Sequence, residues 1–357
     1  MSNYTIKNNI MQPIQTAICS FGMSGRVFHA PFINAHPGFN FYGVLERTKN
    51  LAQEKYSNVK VFRSLEEMLA DDNIELVVIN TPNKTHYDFT KLALLAGKHV
   101  ICEKPFTVSV AEAKELIDLA DSQQKKLSVF QNRRYDSDFR TIQTVLAKHS
   151  LGNIIEAEFH FDRFKEELSP KLHKETPGQG TGALYDLGAH LIDQALQLFG
   201  MPKAVFADIV AMRPISQVDD YFEVLCYYDA CRVRIKGSYQ VREALPGYVL
   251  HGSKGSFIKP KTDVQEAQLQ AGKSPSDEDY GIEPESEKGL LHTVVDGAII
   301  REYLPSLRGN YLDFYEGMYQ AIRNNTPLPV TAQDGKKVIQ IIEAAFKSNK
   351  EKRVIEL

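Results

Sequence analysis

Cysteine is scarce in this chain of 357 residues: Cys19, Cys102, Cys226 and Cys231 form neither a CxxC pair nor a Cys/His ligand spacing. A disulfide framework and a zinc knuckle are therefore not indicated. Because two of the four sit inside apolar runs, buried reduced thiols are expected. A Lys/Arg-dense block is missing too, the formal net charge is −3, and no basic stripe alternates with aromatics, so the electrostatic footprint of a nucleic-acid partner is absent. No stretch approaches the ~18 uncharged apolar residues of a membrane span, and Met1 to Pro13 is polar without an apolar h-region. Neither a membrane nor a nucleic-acid partner is expected, and the chain reads as soluble and cytoplasmic. No internal repeat is found.

What is present is enough apolar residue, 43% of the chain, to build two domains. Short apolar runs at 14–19, 39–45, 76–80 and 99–102 read as buried strands. Helically spaced segments at 26–35, 48–56, 64–70 and 84–96 alternate with them. That alternation predicts crossovers and a doubly wound parallel sheet, continued by a helix over 111–124 and a strand over 127–130. After a helix at 139–148 the pattern changes: 154–164, 222–228, 232–239 and 248–252 alternate without intervening helices, as an open, largely antiparallel mixed sheet would. A helix over 183–199 interrupts them. The polar segment 261–288 reads as a surface excursion near a subunit contact. Helices over 311–324 and 332–349 flank a Pro-rich turn, and the tail 352–357 is expected to form an edge strand. The expected fold is α/β, with a dinucleotide-binding domain over 1–131 and an α+β substrate-binding and oligomerisation domain over 132–357 whose closing helices pack back on the first.

The chemistry starts at the first strand-to-helix turn, Ser20-Phe21-Gly22-Met23-Ser24-Gly25, a GxGxxG with serine in the first place. Gly22 allows a pyrophosphate close to the backbone, Gly25 allows tight helix packing, and the helix start offers free amides to anionic oxygen. Glu46 ends the second strand, where ribose hydroxyls would lie, and favours NAD. Arg47 beside it could hold a 2′-phosphate, so NADP stays open. Ligands of such sheets sit outside the carboxyl ends of strands. Thr81, Pro82, Asn83, His86, Glu103 and Lys104 should therefore meet near the nicotinamide half of the cofactor. No zinc-type set of His, Asp and Glu accompanies them.

The turn just described, Glu103-Lys104-Pro105 after a strand, and Ala183-Leu184-Tyr185-Asp186-Leu187-Gly188-Ala189-His190 together resemble the glucose-fructose oxidoreductase, inositol dehydrogenase and MocA family over essentially the whole chain. Phe28-His29-Ala30-Pro31, Gln131 to Phe139 (QNRRYDSDF) and Ile341 to Ala345 look closest to its scyllo-inositol dehydrogenase-like branch. The resemblance implies a Rossmann domain binding NAD or NADP, with Asn132 joining the cofactor residues. It also implies Lys104, Asp186 and His190 as the catalytic set. Hydride passes between nicotinamide and a secondary carbon, His190 moves the proton, Lys104 steadies the reacting oxygen, and Asp186 orients. Assembly as a homodimer or homotetramer through the second sheet is likewise implied.

Arg134, Tyr135, Arg163, Tyr185 and His173 are the expected substrate ligands, a mixture suited to a sugar or cyclic polyol with many hydroxyls. A nucleotide sensor of the same fold without turnover is the competing reading, and it leaves the set Lys104, Asp186 and His190 without a purpose. A purely structural protein would leave Gly22 and Gly25 unexplained as well.

Overall fold

The computed structural model describes residues 12–262 and 264–357. Six strands form the first sheet: β1 (Ile14–Ile18), β2 (Phe39–Leu45), β3 (Lys60–Phe62), β4 (Leu76–Ile79), β5 (His99–Glu103) and β6 (Leu127–Phe130). Their order is β3-β2-β1-β4-β5-β6, all parallel. β4 and β6 are buried at every position, as a sheet covered on both faces requires. The crossovers are α1 (Ala30–Ala35), α2 (Leu51–Lys55), α3 (Leu65–Leu69), α4 (His86–Leu95) and α5 (Val110–Ser122). Ser64 and Ser109 start α3 and α5 by accepting the amides of Glu67 and Glu112. The strand order reverses between β1 and β4, so their carboxyl ends open a crevice.

The second sheet has nine strands: β7 (Ile154–His160), β8 (Ala204–Val210), β9 (Tyr221–Tyr227), β10 (Arg232–Ser238), β11 (Tyr248–Gly252), β12 (Gly255–Lys259), β13 (Gly289–Val295), β14 (Ala298–Leu304) and β15 (Ile355–Glu356). Their order is β14-β13-β12-β11-β7-β10-β9-β8-β15, antiparallel except for the β7–β10 pair. The expected edge strand in the tail is β15. The helices that follow α5 are α6 (Ser137–Ala147), α7 (Leu172–Glu175), α8 (Ala189–Phe199), α9 (Val264–Gln270), α10 (Leu312–Asn324) and α11 (Ala332–Glu351). Phe314, Tyr315 and Met318 of α10 belong to the core of the first sheet. α11 starts in that core with Ala332 and continues into the second with Val338, Ile339 and Ile342. No helix among the described residues is long and apolar enough to cross a membrane. All four cysteines are free and buried.

Several elements depart from the sequence reading. Residues 261–288 are exposed over most of 270–286, as a surface excursion would be, but the segment is anchored: it contains α9, the fully buried Tyr280, and Glu283, whose carboxylate accepts from the buried Lys259 Nζ at 2.6 Å. Burying that pair is tolerated because the two charges meet inside. β3, β8, β12, β13 and β14 were missed. For the last two a signal exists, since Asp296-Gly297 adopts φ of 51° and 81°, the Asp-Gly hairpin turn that joins strands of matching twist.

Candidate active site

A cleft of about 450 Å³ lies between the carboxyl ends of β1, β4 and β5 and the near edge of the second sheet. Its floor is the glycine turn. Gly22, Met23 and Ser24 face the cleft, while Phe21 turns inward against Phe41 and Tyr56. Any Cβ on Gly25 would stand 2.1 Å from the Ser20 carbonyl oxygen, so only glycine lets the helix start this close to the strand. That start is one π-turn, Gly25–His29, leading into α1. Asn80, at the end of β4, donates from Nδ2 to Ser20 O at 2.8 Å, and its buried Oδ1 has no partner. A ligand hydroxyl or amide is the missing donor. The open backbone at Gly22, the free helix start and this orphaned oxygen fit a dinucleotide.

Glu103 sits at the end of β5 with its carboxylate spent inside the protein. Ser24 Oγ donates to Oε1 at 2.6 Å, His29 Nε2 approaches the same oxygen at 2.9 Å, and the Lys104 amide donates to Oε2 at 3.2 Å. Burial alone would raise its pKa, but His29 and Ser24 outweigh burial and bring it down to about 2. His29 Nδ1 lies 2.7 Å from the Tyr315 hydroxyl, which ties α10 to the same brace. His86 is fully buried between the carbonyls of Pro105 and Thr81 at 2.8 and 2.9 Å. It joins the ends of β4 and β5 and does not face the cleft, contrary to its expected cofactor role.

Beyond Glu103 the cleft is lined by closely spaced titratable groups. Lys104 Nζ donates to the Asp186 carbonyl at 2.8 Å and to its Oδ1 at 3.3 Å; Lys174 Nζ donates to the same Oδ1 at 2.8 Å. Asp186 rides a second π-turn, Leu184–Gly188, and His190 follows in the first turn of α8. π-turns of this kind recur at functional sites. Burial pushes the Asp186 carboxyl up, but Lys104 and Lys174 hold it well below the usual range. Burial, then Lys104, keep His190 neutral, with its pKa well below the ordinary histidine value. Its Nδ1 is buried without a partner. Burial also lowers the Lys104 pKa, against the pull of Asp186.

The structure brings together Ser20, Gly22, Met23, Ser24, Thr81, Pro82, Asn83, Glu103, Lys104, Asn132, Arg163, Asp186 and His190 along this cleft. Three expected substrate ligands lie elsewhere. Arg134 forms a fork on Asp193, at 2.8 and 2.6 Å, and reaches Asp334 at 3.4 Å, pinning α8 to α11. Tyr135 packs against Phe314 in the first core. Tyr185 donates to the Val108 carbonyl and stacks on Phe346. The side chain of His173 lies outside the described residues. Arg133, one place before Arg134, is the arginine that lines the cleft; the short 3-10 turn Asn132–Tyr135 decides which of the two faces in, and no hydrophobic period marks it.

Glu46 is corrected as well. Its carboxylate accepts the amides of Leu51 at 3.2 Å and Ala52 at 3.0 Å, starting α2 rather than meeting a ribose. Arg47 beside it is exposed. Missed residues of the cleft are Asn80, Lys165, Lys171, Lys174 and Tyr239, four of them on irregular chain or strand ends, where periodicity carries no signal.

Comparison with known proteins follows this geometry. Residues 14–131 match the model for the oxidoreductase family with an NAD-binding Rossmann fold, and residues 144–357 match that of its C-terminal α/β domain. The scyllo-inositol 2-dehydrogenase (NADP(+)) of Bacillus subtilis is 38% identical, covering 96% of this chain and 96% of its own. The D-glucoside 3-dehydrogenase of Escherichia coli is 28% identical across 53% of this chain and 55% of its own. A solved structure from Bacteroides fragilis, 44% identical, superimposes with a TM-score of 0.89 over 97% of this chain and 100% of that one. An oxidoreductase from Bacillus cereus, 32% identical, gives 0.89 over 96% and 98%.

Proposed function

Since the chain belongs to the Gfo/Idh/MocA family of oxidoreductases, we propose that it is a dehydrogenase oxidising a secondary hydroxyl of a sugar or cyclic polyol, or reducing the matching ketone, with NADP preferred. The observation that carries this reading is the cleft lined together by Lys104, the neutral His190 and the glycine turn. A nicotinamide dinucleotide bound there supplies the hydride acceptor or donor. Gly22, Met23, Ser24, Asn80, Thr81 and Asn132 would hold it.

The protein's own part is to bind the alcohol, exclude water and manage one proton. Neutral His190 can take the hydroxyl proton on its accessible ring nitrogen as the carbon is oxidised. Lys104, charged and partly desolvated, stabilises negative charge developing on that oxygen, and Asp186 keeps the ammonium aimed. NADP is favoured because the Glu46 carboxylate is engaged by the α2 amides instead of standing free to accept from a ribose 2′-hydroxyl, while Arg47 beside it is exposed and can bind a 2′-phosphate.

Self-association through the second sheet is part of the reading. Val249, Ile258, Leu290 and Tyr303 pair in one cross-strand row, and Ile299 and Tyr303 are 74% and 61% exposed, an apolar outer face suited to a second copy.

The test is absorbance of reduced nicotinamide while purified protein is offered inositols, aldoses and simple secondary alcohols with NAD and with NADP. Cofactor reduction by a polyol or sugar, faster with NADP, is expected. Cofactor binding without turnover on any polyhydroxy compound would refute the dehydrogenase reading.

A further inference from the structure

The cleft carries more positive charge than the proposed chemistry uses. Lys104 and Lys174 are both spent on Asp186. Arg163, Lys165 and Lys171 also line the cleft, and among the described residues no carboxylate lies within ion-pair distance of any of them. Lys171 is exposed at the rim, whereas Arg163 and Lys165 do not simply wave in solvent: Arg163 stacks over Phe161 at 5.0 Å and Lys165 over Tyr239 at 4.8 Å. Their backbone is anchored to the second sheet, with the Arg163 and Lys165 amides donating to the carbonyls of Ser238 at 2.8 Å and Tyr239 at 2.9 Å. They therefore face the glycine turn from the opposite wall, away from the helix start that would take the cofactor phosphates.

Like charges held together and partly desolvated repel one another. Burial first, then Arg163, lowers the Lys165 pKa; burial first, then Lys174, lowers that of Lys171. Asp186 and Glu175 offset part of this at Lys165, and Asp186, Glu266 and Glu103 part of it at Lys171, but each of these carboxylates is already engaged by another partner. Glu175 is paired with Arg213, and Asp219 accepts the Leu184 amide while burial raises its pKa to about 6. A ligand anion is the counter-charge that such a wall lacks, and supplying it converts repulsion into charge-assisted hydrogen bonds.

We propose that the substrate is a polyol or sugar bearing an anionic oxygen group, a carboxylate or a phosphate ester, gripped by Arg163, Lys165 and Lys171 while its reacting hydroxyl lies at Lys104 and His190. This rests on the dehydrogenase reading above and names its substrate class. Neutral inositols and aldoses then use only half the cleft.

The test separates binding from turnover. Protein saturated with reduced nicotinamide cofactor, in which an alcohol cannot react, is titrated calorimetrically with myo-inositol, an inositol monophosphate, glucose, gluconate and glucuronate. Acidic ligands should bind at least ~10-fold more tightly than neutral ones at low ionic strength, with the advantage shrinking as salt is added. Whichever of the phosphate or carboxylate series binds more tightly identifies the source of the charge. Arg163→Gln and Lys165→Gln should each cut the acid-to-neutral ratio about tenfold, and Lys165→Arg should restore it. Equal or tighter binding of the neutral compounds overturns the inference, and this wild-type comparison stands even if a variant fails to fold. Turnover confined to neutral polyols would likewise sink it while leaving the dehydrogenase reading intact. Tight anion binding without hydride transfer to any ligand would do the reverse.

Discussion

Lys104, Asp186 and His190 show how one residue's environment sets its chemistry. The ammonium is kept in place by Asp186 yet softened by burial, and the imidazole is kept neutral by burial and by the ammonium beside it. Lys104→Ala and His190→Ala are each expected to lower kcat by ~10²–10⁴-fold while cofactor affinity, read by fluorescence titration, stays within a few-fold. Near-normal turnover in both would refute the assignment. The pH profile follows from the signs. With His190 depressed below the ordinary ~6.5 it stays a competent base as pH falls through 6, so the acid limb of kcat/KM lies below pH 6. With Lys104 depressed, its charge is lost below the ordinary ~10.4, so the alkaline limb comes early. A limb centred near 6.5 would mean that His190 titrates as a solvated histidine.

Glu46 and Arg47 are a second case at this scale. Arg47→Gln should weaken NADP about tenfold and leave NAD unchanged. Glu46→Ala should lower stability by about 1 kcal/mol through the lost start of α2, measured by denaturant melt, without raising the ratio of NADP to NAD use. A rise in that ratio would show that the carboxylate reaches the ribose after all.

At the scale of elements, the site is made by how helices begin. Both helices that carry it open with a single π-turn, one at the glycine turn and one at Asp186. In the first, the Ser20 carbonyl is pressed against Gly25 and held by Asn80. Gly25→Ala must push the turn apart, because backbone offers no flexible end to give way. Cofactor affinity should fall by more than ~10-fold and stability by ~1–3 kcal/mol; affinity within twofold of the parent would show that the turn tolerates the methyl group. The Glu103 brace acts at the same scale, since Ser24, His29 and Tyr315 tie the helix start, β5 and α10 to one carboxylate. Rigid elements, not the loop alone, thereby position Lys104.

At the scale of the whole molecule, one helix straddles the cores of two sheets. α11 begins in the first core and ends in the second, so the walls of the cleft are parts of one packed body rather than beads on a linker. The apolar row ending in Tyr303 is the surface left uncovered by that packing. Ile299→Lys together with Tyr303→Lys is expected to reduce the mass found by light scattering to that of a single chain, with the circular dichroism of the parent retained. An unchanged mass above one chain would place the interface elsewhere; a single chain in the parent would remove it.

The sequence alone determined the parallel first sheet, because period and alternation are local properties: buried runs such as Leu76–Ile79 separated by helical spacing admit few other folds. It also marked the glycine turn and, through family resemblance, pointed to Lys104, Asp186 and His190, which the fold brings to one cleft. What it could not determine was direction. Arg133 and Arg134 are chemically alike, and only the short turn between β6 and α6 sends one to the cleft and the other to Asp193. Glu46 stood at the expected place, but whether its carboxylate meets a ribose or starts α2 depends on where α2 lies in space. Polar residues 261–288 are largely exposed, as their composition suggests, but composition does not record that Glu283 finds Lys259 inside. Arg163 was expected at the site, but Lys165 and Lys171, which line the cleft beside it, were invisible for the same reason. Charges from irregular chain have no period, and only tertiary packing decides which of them lose their counter-ions and face a ligand.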